Sequence, residues 1–181
     1  AMTTEPSSKD LPTEPEAAPE RGRIEGWPEW AELVRAALAE AAATSSSLWL
    51  QDDDFAHWPM GERACVESFD QWALSGRQVH ATLVALRWDG FARAHPRWLR
   101  WRTTWVHKVD CLVFPEDQIS SLEGFRPTLV VKDRLLMQLL DAERGVGVWT
   151  RNPASLQAAW HQCDAISQRS LDSGVSTTLG L

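Results

Sequence analysis

Between Arg93 and Lys108 lie Arg93, Arg97, Arg100, Arg102 and Lys108 with no acidic side chain among them, interleaved with Trp98, Trp101 and Trp105. Guanidinium groups bind phosphate oxygens in a two-pronged geometry, and an exposed indole offers a flat face on which a nucleobase stacks. On a helix the three tryptophans share one face at spacings of three and four. Arg97 and Arg100 fall on a neighbouring face, and Arg102 on the far side. Two readings follow. In one, the indoles pack on a core while the arginines pair with surface carboxylates. In the other, the segment is a phosphate-binding face with a stacking tryptophan. A membrane-surface role fits poorly, because it would take the tryptophan stripe away from the core.

Other chemistry is thinly supplied. His57, His80, His95, His107 and His161 form no HExxH or HxH spacing, so no metal site is expected. No GxSxG, P-loop or GxGxxG occurs, and Gly145-Val146-Gly147 reads as a turn before the last helix. Asp52-Asp53-Asp54 points its carboxylates in different directions and reads as a solvated loop or a cap. Cys65, Cys111 and Cys163 are far apart, form no CxxC pair and read as reduced, mostly buried thiols. Catalytic residues, metal and cofactor are all expected to be absent.

The chain has 181 residues, 44% of them hydrophobic, and a formal net charge of −7. One domain with a real core is affordable, and a uniformly basic nucleic-acid coat is excluded, although a local basic patch is not. The eleven tryptophans, against no tyrosine, are expected to anchor the core with their indole N–H groups aimed at acceptors. Residues 1–26, rich in Pro, Glu, Ser and Thr, bury too little to offset ordering entropy and are expected to be a disordered acidic tail. The opening residues lack the basic-then-apolar order of an export signal, and no apolar run is long enough to span a bilayer. The expected location is therefore cytoplasmic, without membrane insertion.

The domain, residues 27–181, alternates helices and strands. Trp30, Leu33, Val34, Ala37, Leu38 and Ala41 recur at helical spacing behind Pro28. SLWLQ reads as a buried strand, Gly61 to Leu74 as a helix stopped at Ser75-Gly76, and VHATLVALRW as a central strand. A third helix runs from Pro96 through Val106, a strand from His107 to Phe114, then two short strands around Lys132-Asp133-Arg134, and a last helix from about Pro153 to Ser170. The fold class expected is α/β, with a mixed, largely parallel sheet flanked by helices.

Four features of this order carry a resemblance: the run LVALRWDGFARAHPRWLRWRTTWVHKVDCLVF, the hairpin TLVVKDRLLMQLLD, the helix AAWHQCDAISQRS with Trp160 and Ser170, and the ending Leu179-Gly180-Leu181. From Leu48 to Leu181 the chain resembles a family of uncharacterised bacterial domains related to phospholipase D, the PLD-like fold. Catalytic relatives of that fold carry H-x-K-x4-D, in which the His attacks phosphorus and the Lys neutralises phosphoryl oxygens. With Asp133 as the motif's last residue, Arg126 stands at the His position and Thr128 at the Lys position. A guanidinium stays protonated and is no nucleophile. The resemblance thus implies a single degenerate half that kept the fold and lost the reaction.

The function expected is a non-catalytic binding or scaffold module. Its partner would be an unknown protein or a second copy of the chain, and a phosphate-containing ligand or nucleic acid would meet Arg93, Arg97, Arg100, Arg102, His107, Lys108 and Arg126. The alternative is a phosphodiesterase-like hydrolase with an unrecognised site, using His107 or His161 as general base.

Overall fold

The computed structural model describes residues 20–121 and 125–175. The expected tail up to residue 19 and the Leu179-Gly180-Leu181 ending lie outside them. Along the chain run β1 (Arg21–Glu25), α1 (Trp27–Thr44), β2 (Leu48–Asp52), α2 (Arg63–Leu74), β3 (Ala81–Ala85), α3 (Phe91–Ala94) and α4 (Pro96–Trp105). They continue with β4 (Val109–Val113), a 3-10 turn (Glu116–Ser121), β5 (Thr128–Val131), β6 (Leu135–Asp141), β7 (Val146–Thr150), α5 (Pro153–Arg169) and β8 (Leu171–Asp172).

The strands form one eight-stranded sheet in the order β1-β7-β6-β5-β2-β3-β4-β8. Helices cover both faces. On one face α1, α2 and α4 bury Trp30, Val34, Phe69, Trp72 and Trp98 against Leu48, Leu50, Leu83 and Leu129. On the other, Cys163 and Ile166 of α5 meet Trp49, Val84, Phe114 and Val130. Alternate residues of β2 and β5 thus serve opposite cores, as the pleat requires.

The sheet is mixed but mostly antiparallel, which corrects the expectation of a largely parallel one. Only β2–β3 and β3–β4 pair in parallel; β1–β7, β7–β6, β6–β5, β5–β2 and β4–β8 run antiparallel. The helical crossovers α2 and α3–α4 enforce the parallel pairs, whereas tight turns can join only antiparallel strands. Asp133, at φ 63°, makes the β5–β6 turn, and Gly145, at φ 68°, ends the loop between β6 and β7. Gly147 belongs to β7 and does not continue the turn. Residues 21–25, expected in the tail, form the edge strand β1, with Arg21 opposite Thr150 and Glu25 opposite Val146.

Candidate functional site

The Arg93–Lys108 segment folds as the helices α3 and α4 that lead from β3 to β4. Pro96 opens α4, and Trp98 and Leu99 are buried in the core. The other two indoles converge on one carboxylate oxygen of α2: Trp101 Nε1 and Trp105 Nε1 donate to Asp70 Oδ1 at 3.0 and 3.2 Å. Trp98 is wholly buried, while Trp101 and Trp105 are half-buried and pack against the same core.

The basic residues divide. Arg102 donates to the carbonyls of Val109 and Val175. Lys108 Nζ donates to the Ala73 and Gly76 carbonyls at 2.7 and 2.6 Å, capping the carboxyl end of α2, where a cation is favoured by the helix dipole. Arg97 is exposed and gives one N–H to the Gly61 carbonyl at 3.0 Å. Arg93 and Arg100 are exposed, and their guanidinium groups meet no acceptor among the described residues. The expected pairing of this helix's arginines with carboxylates is therefore not what holds them: the bonded ones use main-chain carbonyls.

His107 is exposed against the Trp105 ring, with centroids 5.9 Å apart, just before β4. Val109 pairs through Ala81 with Leu48, at the start of β2, whereas Thr128 pairs with Gln51 near its end. His107 and Lys108 thus lie at one end of the strands and Arg126 at the other, so the seven candidate residues do not form a single cluster.

At the hairpin, Arg126 is exposed and Thr128 is buried. The Thr128 hydroxyl donates to the Arg126 carbonyl at 2.9 Å and accepts from Gln138 Nε2 at 3.3 Å. Gln51 Nε2 donates to the same carbonyl at 2.9 Å, and Gln51 Oε1 accepts from the Trp49 indole at 3.1 Å. Every member of this small network is hydrogen-bonded to another, and none is a His, a Lys or a carboxylate.

Two buried ionisable groups escaped the sequence reading. Asp52, only 4% exposed, accepts from the Phe55 N–H at 2.8 Å, and burial pushes its carboxyl up to about 6. The expectation of a solvated loop or a cap for the next element is met at the exposed Asp53 but not at Asp52, which is buried and bonds the loop's own main chain. His95 bonds the Phe55 carbonyl through Nε2 at 2.8 Å and accepts from the Gly61 N–H through Nδ1 at 3.1 Å. Burial lowers its basicity, which fits a neutral imidazole used on both nitrogens. Both partners are main-chain groups distant in sequence, so no spacing announces them. The exposed His80–Asp110 pair, at 2.9 Å, was likewise unmarked. Burial also raises the thiols, Cys65 to about 11 and Cys111 to about 12, so neither is a ready nucleophile. Among the described residues no cluster of His, Cys, Asp and Glu is arranged to hold a metal. No described helix is long and apolar enough to cross a membrane.

No protein-family model matches the sequence, and no curated protein does. Solved structures do match. One is TrmBL2, described as an archaeal chromatin protein with a novel mode of DNA binding, at TM-score 0.59 and 12% identity. The match covers 91% of this chain and 56% of that one, so the chain spans little more than half of TrmBL2. Another is NucT from Helicobacter pylori, at TM-score 0.52 and 7% identity, covering 84% of this chain and 98% of that one. At these identities the likeness is one of fold alone: the chain shares its α/β fold with these two structures.

Proposed function

We propose that the chain is a non-catalytic PLD-like module that binds nucleic acid through phosphate contacts from the exposed arginines of α3 and α4. The observation that carries this reading is the pair of exposed guanidinium groups, Arg93 and Arg100, without an acceptor among the described residues, beside Arg97 in a chain of net charge −7. An acidic protein has carboxylates to spare, yet these arginines face solvent. The fold shared with a DNA-binding chromatin protein supports the same reading, and so does the hydrogen-bonded network at Thr128 and the Arg126 carbonyl, which holds no His or Lys.

Fluorescence anisotropy with labelled single- and double-stranded DNA tests it. Binding is expected at low ionic strength, with a log–log salt slope of roughly −2 to −3 if three arginines each displace about one counterion. Arg93→Glu with Arg100→Glu is expected to abolish binding, while the fold, read by circular dichroism, is kept. Absence of binding by the unmodified protein at low salt rejects the proposal. Turnover of a generic phosphodiester that disappears in His107→Ala or His161→Ala would overturn its non-catalytic part.

A further inference from the structure

Cross-strand partners share a face of the sheet. Val130, Leu136, Thr150 and Arg21 therefore form one row across β5, β6, β7 and β1, and Thr128, Gln138, Val148 and Arg23 form the next. Val130 lies in the core beneath α5, so both rows belong to the α5 face. Cover thins along them. Val130 and Thr128 are buried and Leu136 and Gln138 half-buried, whereas Val148 is 40% exposed. On the opposite face of the same strands Ile24, Leu135, Met137 and Leu139 are all buried, in the core that α1 covers. An antiparallel sheet can leave one face to water, but its outward positions are then polar. Here Val146 and Val148 stand outward on β7, and Leu140, 56% exposed, stands at the irregularity of β6. The uncovered strip from β6 to β1 spans two interstrand gaps, about 10 Å, which is the width of one helix.

The charges around the strip select what would lie on it. Arg23 is paired with Glu25 at 3.1 Å, and Asp141 with Arg144 at 3.8 Å. Two guanidinium groups are left over, at opposite corners. Arg21 ends the Leu136–Thr150 row. Arg126 precedes Pro127, whose carbonyl accepts from the Leu139 N–H beside Leu140. Both are exposed and have no carboxylate partner among the described residues. A second copy laid on this face would set arginines among arginines. No indole stands in the two rows to stack a base, whereas valine and leucine suit aliphatic side chains. We propose that this strip beside α5 docks an amphipathic α-helix of a partner protein, with a leucine-type stripe on Val146, Val148 and Leu140 and acidic side chains toward Arg21 and Arg126.

The full-length chain tests this with two synthetic helical peptides of about 18 residues. Each carries leucines at i, i+3, i+4 and i+7, flanked in one by glutamates and in the other by lysines. The glutamate peptide is expected to shift the amide resonances of Leu140, Val146 and Val148 and to bind about tenfold or more tightly than the lysine peptide. Val148→Asp, and separately Arg21→Glu with Arg126→Glu, are expected to weaken it by a similar factor while circular dichroism stays unchanged. Absence of shifts at about 1 mM glutamate peptide, equal binding of the two peptides, or affinity untouched by both variants would overturn the proposal. So would a single-stranded oligonucleotide that shifts these amides in the peptide's place, or a dimer formed through this face. α4 packs on the opposite face of the sheet. Peptide binding that survives Arg93→Glu with Arg100→Glu therefore separates this proposal from the DNA-binding one, and either can fail without the other.

Discussion

The Asp52 carboxylate and the His95 imidazole hold opposite sides of one residue. Asp52 accepts from the Phe55 N–H and His95 bonds the Phe55 carbonyl, and Phe55 itself sits at φ 60°, a conformation few bulky residues adopt. Their titrations act on stability with opposite signs. Asp52 has a native value of about 6 against 3.8 when unfolded, so the native state holds the extra proton between these values. Its favourable contribution is complete below about pH 4 and is lost as pH rises through 6. His95 is lowered from 6.5, so its contribution is complete above that value and is lost as pH falls through its native value. Asp52→Asn keeps an acceptor for Phe55 and removes the buried charge. It is expected to stabilise the protein by roughly 1–3 kcal/mol near neutral pH and by close to nothing near pH 4. Urea unfolding at the two pH values checks this. His95→Ala strands the Phe55 carbonyl and the Gly61 N–H, and is expected to cost about 2–4 kcal/mol near neutral pH. Its acid limb should be flatter than that of the unmodified protein.

At the scale of elements, the amphipathic helices follow from the sequence. α1, α2, α4 and α5 lie within a few residues of where their apolar spacing places them, because helical periodicity is a local property. The destinations of their polar groups were not legible. Nothing near Trp101 or Trp105 in sequence shows that both indoles end on Asp70, and nothing near Lys108 shows that it caps α2. The same holds for β7. Its Gly145-x-Gly147 pattern looks like a turn, yet only Gly145 turns the chain. Gly147 faces β6, where an added Cβ would meet the Gln138 carbonyl oxygen and come 2.7 Å from Leu139 Cα, beside the irregularity between Leu139 and Asp141. Backbone cannot move aside as a flexible side-chain tip can. Gly147→Ala is therefore expected to destabilise by about 2 kcal/mol or more, with a thermal midpoint lower by several degrees in calorimetry.

For the whole molecule, the two ends of the sheet differ in how firmly they are held. β2, β3 and β5 have neighbours on both edges and helices on both faces, whereas β1 is joined to the sheet through β7 alone. Gly22→Val would drive a side chain into the Trp149 indole. Amide exchange is expected to accelerate across β1 and β7 while β2, β3 and β5 keep their protection, which mass-resolved exchange can map. By itself the sequence determined the alternation of helices and strands, the β5–β6 hairpin and the buried thiols. Each of these is written in residue type and local period. The tertiary structure alone decided that the sheet is mostly antiparallel and begins at Arg21. It also decided which arginines remain free. Strand direction depends on which segments meet across the sheet, and a guanidinium is free only if no distant carbonyl reaches it. Arg102 found Val109 and Val175, Arg97 found Gly61, and Arg93 and Arg100 found none among the described residues.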